Sequence, residues 1–241
     1  MALAAPSAGE LVQHGNFRVK LDAALTPTRL PRERQAPVRF ATAISFIGTG
    51  GHAPPQLQRM QIEINSHGQI NPGSVPACRM DQIQPATSAN ALSACSRSLV
   101  GEGHLSSEVK FTQQAPLPSE GKIQAFNGRW KGKPAILAHV YGRMPIPTSF
   151  TIPFVISTRR KGTYGTTLSA SVPQFSGKWG YVSAISLALG GSSDGSGAFL
   201  TASCPAPKGI PIVSFPLSRT KLGLAGSKGI RETITRSCSP R

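Results

Sequence analysis

Carboxylates are scarce in this chain. Its 241 residues hold 10 Asp and Glu against 26 Lys and Arg, a formal charge of +16. Chemistry that needs two acidic groups flanking one bond therefore has little to draw on. No acidic pair sits at a motif spacing, and a hydrolase would have to assemble its site from distant residues such as Glu63 and Glu120. Charged residues together make up only 15%, below the roughly one quarter usual in soluble domains. Long apolar runs are missing too: nothing approaches the ~18 residues that a membrane helix requires. The opening "MALAAPSAGELVQHGNF" has neither the basic start nor the sustained apolar stretch of a secretory leader.

Catalytic and metal signatures are equally thin. Paired Cys or His at zinc spacing does not occur, and His14, His52, His67, His104 and His139 stand singly. Neither a nucleophile elbow nor a phosphate-binding glycine loop is found. "SSDGSG", Ser192 to Gly197, has one aspartate and no closing glutamate, so it reads as a turn and not as a calcium loop. The sequence assigns no catalytic residue, no metal and no cofactor.

Glycine and proline are plentiful: 25 and 21 residues, without a collagen period. Between them lie short alternating segments. Phe17, Val19 and Leu21 alternate with Arg18, Lys20 and Asp22; Met60, Ile62 and Ile64 alternate with Gln61 and Glu63. This two-residue period is that of half-buried strands. Further strands are expected at 108–112, 122–127, 134–142, 150–158, 166–172 and 179–189, then at 197–204, 210–217, 221–226 and 229–237. The fold class that follows is all-β: an antiparallel, elaborated β-sandwich. One short helix is expected near residues 89–100, where Leu92, Cys95 and Leu99 share a face and Ser88 or Asn90 caps the start. Residues 1–15 read as a loosely ordered segment and 16–241 as a single domain, with 16–75 and 105–241 as the alternative division.

Four cysteines, Cys78, Cys95, Cys204 and Cys238, allow three pairings. Sequence order favours Cys78 with Cys95 and Cys204 with Cys238, each closing a loop within its own half. By loop-closure entropy each bond contributes about 3–4 kcal/mol. Free buried thiols are the plainer alternative. Catalysis by Cys204 is disfavoured, since Pro205 and Pro207 follow it and no helix start lowers its pKa. Disulfides belong to an oxidising compartment, so an extracytoplasmic or secreted location is expected.

The positive charge is unevenly spread. Through residue 120 there are ten basic and eight acidic residues; beyond it there are sixteen and two. Such asymmetry suits a polyanion: an envelope polymer, an anionic surface or nucleic acid. The densest cluster is Arg159, Arg160 and Lys161, in an apparent hairpin turn. A second cluster, Arg129, Lys131 and Lys133, surrounds Trp130, whose ring is suited to stacking on a sugar, a base or a protein partner. These seven residues are the candidate binding surface. Edge strands of a sandwich can also pair between copies, which keeps a homo-oligomer open.

The stretches "ALSACSRSLVGEG", "HVYG" and "SCPAPKG" resemble those of uncharacterised secreted, β-rich proteins of actinobacterial type. That resemblance implies export and a β-rich body, and brings no activity or site residues. The reading is therefore a non-enzymatic extracytoplasmic structural or surface-interaction protein, whose basic second half contacts an anionic polymer. The alternatives are a nucleic-acid-binding or viral particle component, and a hydrolase.

Overall fold

A computed structural model describes residues 9–110, 114–142, 147–174, 180–190 and 198–241. Trp179, the segment 191–197 expected to be a turn and the first eight residues lie outside these. The first strands are β1 (Glu10–His14), β2 (Phe17–Thr26), β3 (Arg29–Leu30), β4 (Ala36–Pro37), β5 (Arg39–Gly48), β6 (Leu57–Asn65) and β7 (Gly68–Ile70). Two helices follow, α1 (Met80–Ile83) and α2 (Ser88–Cys95). The remaining strands are β8 (Leu99–Val109), β9 (Leu117–Trp130), β10 (Lys133–Gly142), β11 (Thr148–Thr158) and β12 (Tyr164–Ser171), then β13 (Gly180–Gly190), β14 (Leu200–Ala202), β15 (Val213–Leu224) and β16 (Ile230–Pro240).

The all-β expectation holds. Thirteen strands form one sheet in the order β1-β2-β5-β13-β8-β9-β10-β11-β12-β6-β15-β16-β3. Every pairing in it is antiparallel except β16 with β3. β2 and β3 lie near opposite ends of that order, yet only Pro27 and Thr28 separate them in the chain. Two residues cannot bridge a flat sheet of this width. The sheet must curl until its ends meet, and the two layers of the expected sandwich are two halves of one continuous sheet. The inward residues of each strand then fill one core, with Phe40, Leu21, Ile44, Ile136, Leu168 and Ile234 fully buried. A small sheet, β4-β14-β7, lies beside the large one.

Alternation is legible along β2 and β5, where buried and exposed residues take turns. It fails along β9 and β10, where both faces are buried. The reason is a cap. The chain from Pro72 through α2 lies on the outer face and buries Phe126, Ala135 and Leu137 against Cys78, Ile83 and Ala91. Cys78 donates its amide to the Asn127 carbonyl at 2.8 Å. Gly128 is required beside it, because a Cβ there would lie 2.7 Å from the Cys78 carbonyl oxygen. Asn127 Nδ2 donates to the carbonyls of Pro72, Val75 and Pro76 at 2.9, 2.7 and 3.2 Å.

Both expected disulfides are present: Cys78–Cys95, with Cα atoms 5.7 Å apart, and Cys204–Cys238, at 5.8 Å. The first fastens α2 to the chain crossing β9. The second fastens the end of β16 to the segment after β14, where Val213 opposes Cys238. The helix is shorter than expected. Thr87, rather than Ser88 or Asn90, caps it by accepting from the Asn90 amide at 3.2 Å. After Cys95 one 3-10 turn leads into β8, which begins at Leu99 and absorbs the rest of the expected helix. The strands expected at 210–217 and 221–226 are one strand, β15 (Val213–Leu224), with a register shift near Pro216. Within the segment expected to be loosely ordered, Glu10–His14 pairs with β2.

Candidate functional site

The two basic clusters occupy neighbouring hairpin turns. Lys131 and Gly132 form the turn between β9 and β10, with positive φ of 48° and 78°. Arg159, Arg160 and Lys161 form the connection between β11 and β12, held by the Arg159 amide donating to the Gly165 carbonyl at 2.7 Å. Ala135 pairs with Val155, so both turns leave the sheet at the same end. Two strand spacings separate the hairpin centres, about 10 Å. That is near the Debye length in physiological salt, so their fields add. Arg129, Lys131, Lys133, Arg159, Arg160 and Lys161 are all exposed, and Trp130 is half-buried. One side of Trp130 packs against the cap, and the Lys131 ammonium lies 5.8 Å from its ring centroid.

Sequence reasoning missed the groove that starts at this corner. It crosses the outer face diagonally, from Trp130 and Lys131 to the turn between β15 and β16, and encloses about 2000 Å³. Its floor is set by strand register. Val155, Ser169, Gln61, Lys221 and Arg231 form one row, one residue from each of five adjacent strands. Ser171 and Gly223 flank Arg59 in the next row. Small residues in mid-floor keep it low. A Cβ on Gly223 would come within 3.1 Å of the Arg59 Cβ, so glycine there leaves Arg59 room to lie across the sheet. One wall is the cap, the other the β15–β16 turn.

Glu63 organises the cations at this floor. It is 2% exposed although its strand position faces outward. It bonds to the Arg219 guanidinium, accepts from Lys221 Nζ at 3.0 Å and accepts from Gln61 Nε2 at 3.2 Å. Burial raises its pKa, but Arg219 and Lys221 outweigh that and hold the carboxyl below its usual 4.5. Arg219 also lies over the Tyr164 ring, 4.4 Å from its centroid. Arg59, Lys228 and Arg231 have no acidic partner among the described residues. Asp81, the one acidic residue lining the groove among the described residues, is paired with Arg79.

Hydrolytic arrangements fare less well. Glu63 and Glu120 are not brought together: β10, β11 and β12 lie between their strands. His67 Nδ1 lies 3.2 Å from Ser203 Oγ, the geometry of a nucleophile and its base. Ser203, however, is 3% exposed, and the space enclosed beside this pair is about 10 Å³, too small for a substrate. No group of three His, Cys, Asp or Glu side chains among the described residues is placed to hold a metal. Among the described residues no helix is long and apolar enough to cross a membrane. The Cys204 thiol is consumed in its disulfide, which ends its candidacy as a nucleophile.

Nothing matches this chain among protein-family models, curated proteins or solved structures.

Proposed function

We propose that the protein is an extracytoplasmic, non-enzymatic binding protein that attaches to an anionic polymer through the basic end of its curled sheet. The observation that carries this reading is the adjacency of two exposed basic turns, Arg129 to Lys133 and Arg159 to Lys161, on neighbouring hairpins. Six cations this close attract a polyanion at long range and release its counterions on contact. Two disulfides support an oxidising compartment for that encounter.

Binding to immobilised polyglycerol phosphate and to polygalacturonate, measured across a salt series, tests the reading. Affinity should fall steeply with salt, and the triple variant Arg159→Ser, Arg160→Ser, Lys161→Ser should lower it by about tenfold and flatten the salt slope. Salt-independent binding, or none at low ionic strength, overturns the reading. A stronger preference for single-stranded DNA over both polymers would move it to a nucleic-acid protein.

A further inference from the structure

The basic end attracts charge, but it has little shape. The groove has both. We propose that the groove between the disulfide-tied cap and the β15–β16 turn is a binding site for a segment of an acidic polysaccharide, with sugar carboxylates on its cations and one sugar face on Trp130. This rests on the polyanion reading and names the ligand class and the place.

Size argues for a chain segment. Pockets for small molecules enclose roughly 300–1,000 Å³, and this groove encloses about 2000 Å³. Its floor runs across β11, β12, β6, β15 and β16, four strand spacings or about 20 Å. That spans an oligosaccharide, not a single sugar.

Charge argues for acidity. Arg59, Lys131, Lys228 and Arg231 line the groove with no acidic partner among the described residues. They are spread along it and not gathered at one point, which fits a ligand with charges at intervals. A single phosphate would need them convergent.

The neutral lining argues for sugar. Gln61, Gln84, Ser169 and Ser171 present amides and hydroxyls between the cations, which suit the hydroxyls of a pyranose. Trp130 stands at one rim, anchored on the cap side by its packing, and offers an apolar face to a sugar's C–H surface. Single-stranded nucleic acid stacks its successive bases on a series of aromatic rings, and Trp130 is the one aromatic residue lining this groove among the described residues.

The floor is also built in advance. A carboxylate 2% exposed is costly to desolvate, and an apolar residue would serve stability about as well. What Glu63 adds is geometry. By accepting from both Gln61 Nε2 and Lys221 Nζ it holds these two side chains side by side. Ligand donors and acceptors then meet a fixed array, with less ordering left for the moment of binding.

The test compares a galacturonic acid oligosaccharide with an uncharged galactose oligosaccharide of equal length and with oligothymidylate. Binding is measured by titration calorimetry, and by Trp130 fluorescence in a Trp179→Phe background. The acidic oligosaccharide should bind best and shift the Trp130 emission. Arg59→Ser with Arg231→Ser should weaken it about tenfold or more, and by clearly more than Arg159→Ser with Arg160→Ser, which removes only long-range attraction at the basic end. Trp130→Phe should lower affinity and leave the salt slope unchanged. If the two double variants lose affinity equally, or the Trp130 signal does not respond, the groove is not the site, although polymer attachment at the basic end survives. If the uncharged chain or oligothymidylate binds as well as the acidic sugar, the ligand class is wrong. If long polyanions do not bind either, the underlying reading falls as well. Circular dichroism of each variant separates lost binding from lost folding.

Discussion

Arg236 on β16 bonds the carboxylate of Asp22 on β2 and also lies 4.0 Å from Glu10 on β1. These strands stand near opposite ends of the sheet order, so the contact closes the curled sheet through side chains where the backbone ladder does not. Arg236 is 17% exposed at its side chain and Asp22 37%, which leaves the pair partly screened. Replacing Asp22 by Asn should therefore cost only about 1 kcal/mol, or about 2–4 °C in melting temperature for a chain of this size. A double-mutant cycle with Arg236→Gln should show coupling between the two sites. Additive losses would mean that backbone pairing and the core close the sheet unaided.

Glu63 predicts a distinctive acid response. Its pKa lies below 4.5 when folded, so its ion pairs contribute stability that is fully present above that value. The contribution is lost as pH falls through the folded value. Glu63→Gln keeps the shape and removes the charge. It leaves Arg219 and Lys221 without their partner, but their heads reach water, being 30% and 28% exposed. The cost near neutral pH should be about 2 kcal/mol, less than the roughly 3–5 kcal/mol of a fully buried pair. Below pH 4.5 the gap between wild type and variant should narrow. Urea midpoints at neutral and acid pH decide it, and a constant gap would show that Glu63 does not titrate with unfolding.

Cysteine order was legible because each pair closes a short loop within its own half, and both loops closed as spacing suggested. The alternating strands were legible wherever one face meets solvent, as along β2 and β5. Along β9 and β10 the cap buries Phe126 and Leu137 on the face that alternation assigns to water, so the pattern reads as uniformly apolar. β8 was hidden for another reason: Leu92, Cys95 and Leu99 keep a helical spacing past the point where pairing with β9 takes over. The groove was not legible at all. Arg59, Lys131 and the Lys221–Arg231 hairpin pair come from distant parts of the chain, and only the order β6-β15-β16 sets Arg59 beside that hairpin. The basic turns were legible because each cluster is contiguous in the chain.

His139 makes a second, milder pH prediction. Its side chain is fully buried beneath the cap, opposite Gln124 on β9 and Thr151 on β11. Burial lowers its pKa below 6.5, against a smaller opposing effect of the Ala86 backbone. The folded protein therefore holds it neutral, while the unfolded chain binds a proton as pH drops below 6.5. Stability should fall with pH from that point down to the folded value. His139→Leu removes the proton site. Between about pH 7 and about pH 5.5 the wild type should lose more stability than the variant in denaturant melts. Parallel losses would place the pH dependence elsewhere.

Lys131 sets turn stability against binding. Its φ of 48° lies in the left-handed region, and among the described residues the other positive-φ positions are glycines. A two-residue hairpin turn of this kind is best served by Asn followed by Gly, and Gly132 already supplies the second position. A lysine at the first position costs backbone strain that Asn would partly relieve. Lys131→Asn should therefore stabilise the protein by about 0.5–1 kcal/mol. The same change removes a groove cation from beside Trp130 and should weaken the acidic oligosaccharide about threefold to fivefold. Thermal melts and calorimetry on one preparation read both effects. A gain in stability with unchanged affinity would reduce Lys131 to a turn residue, whereas opposite movements would tie the strained backbone to the ligand site.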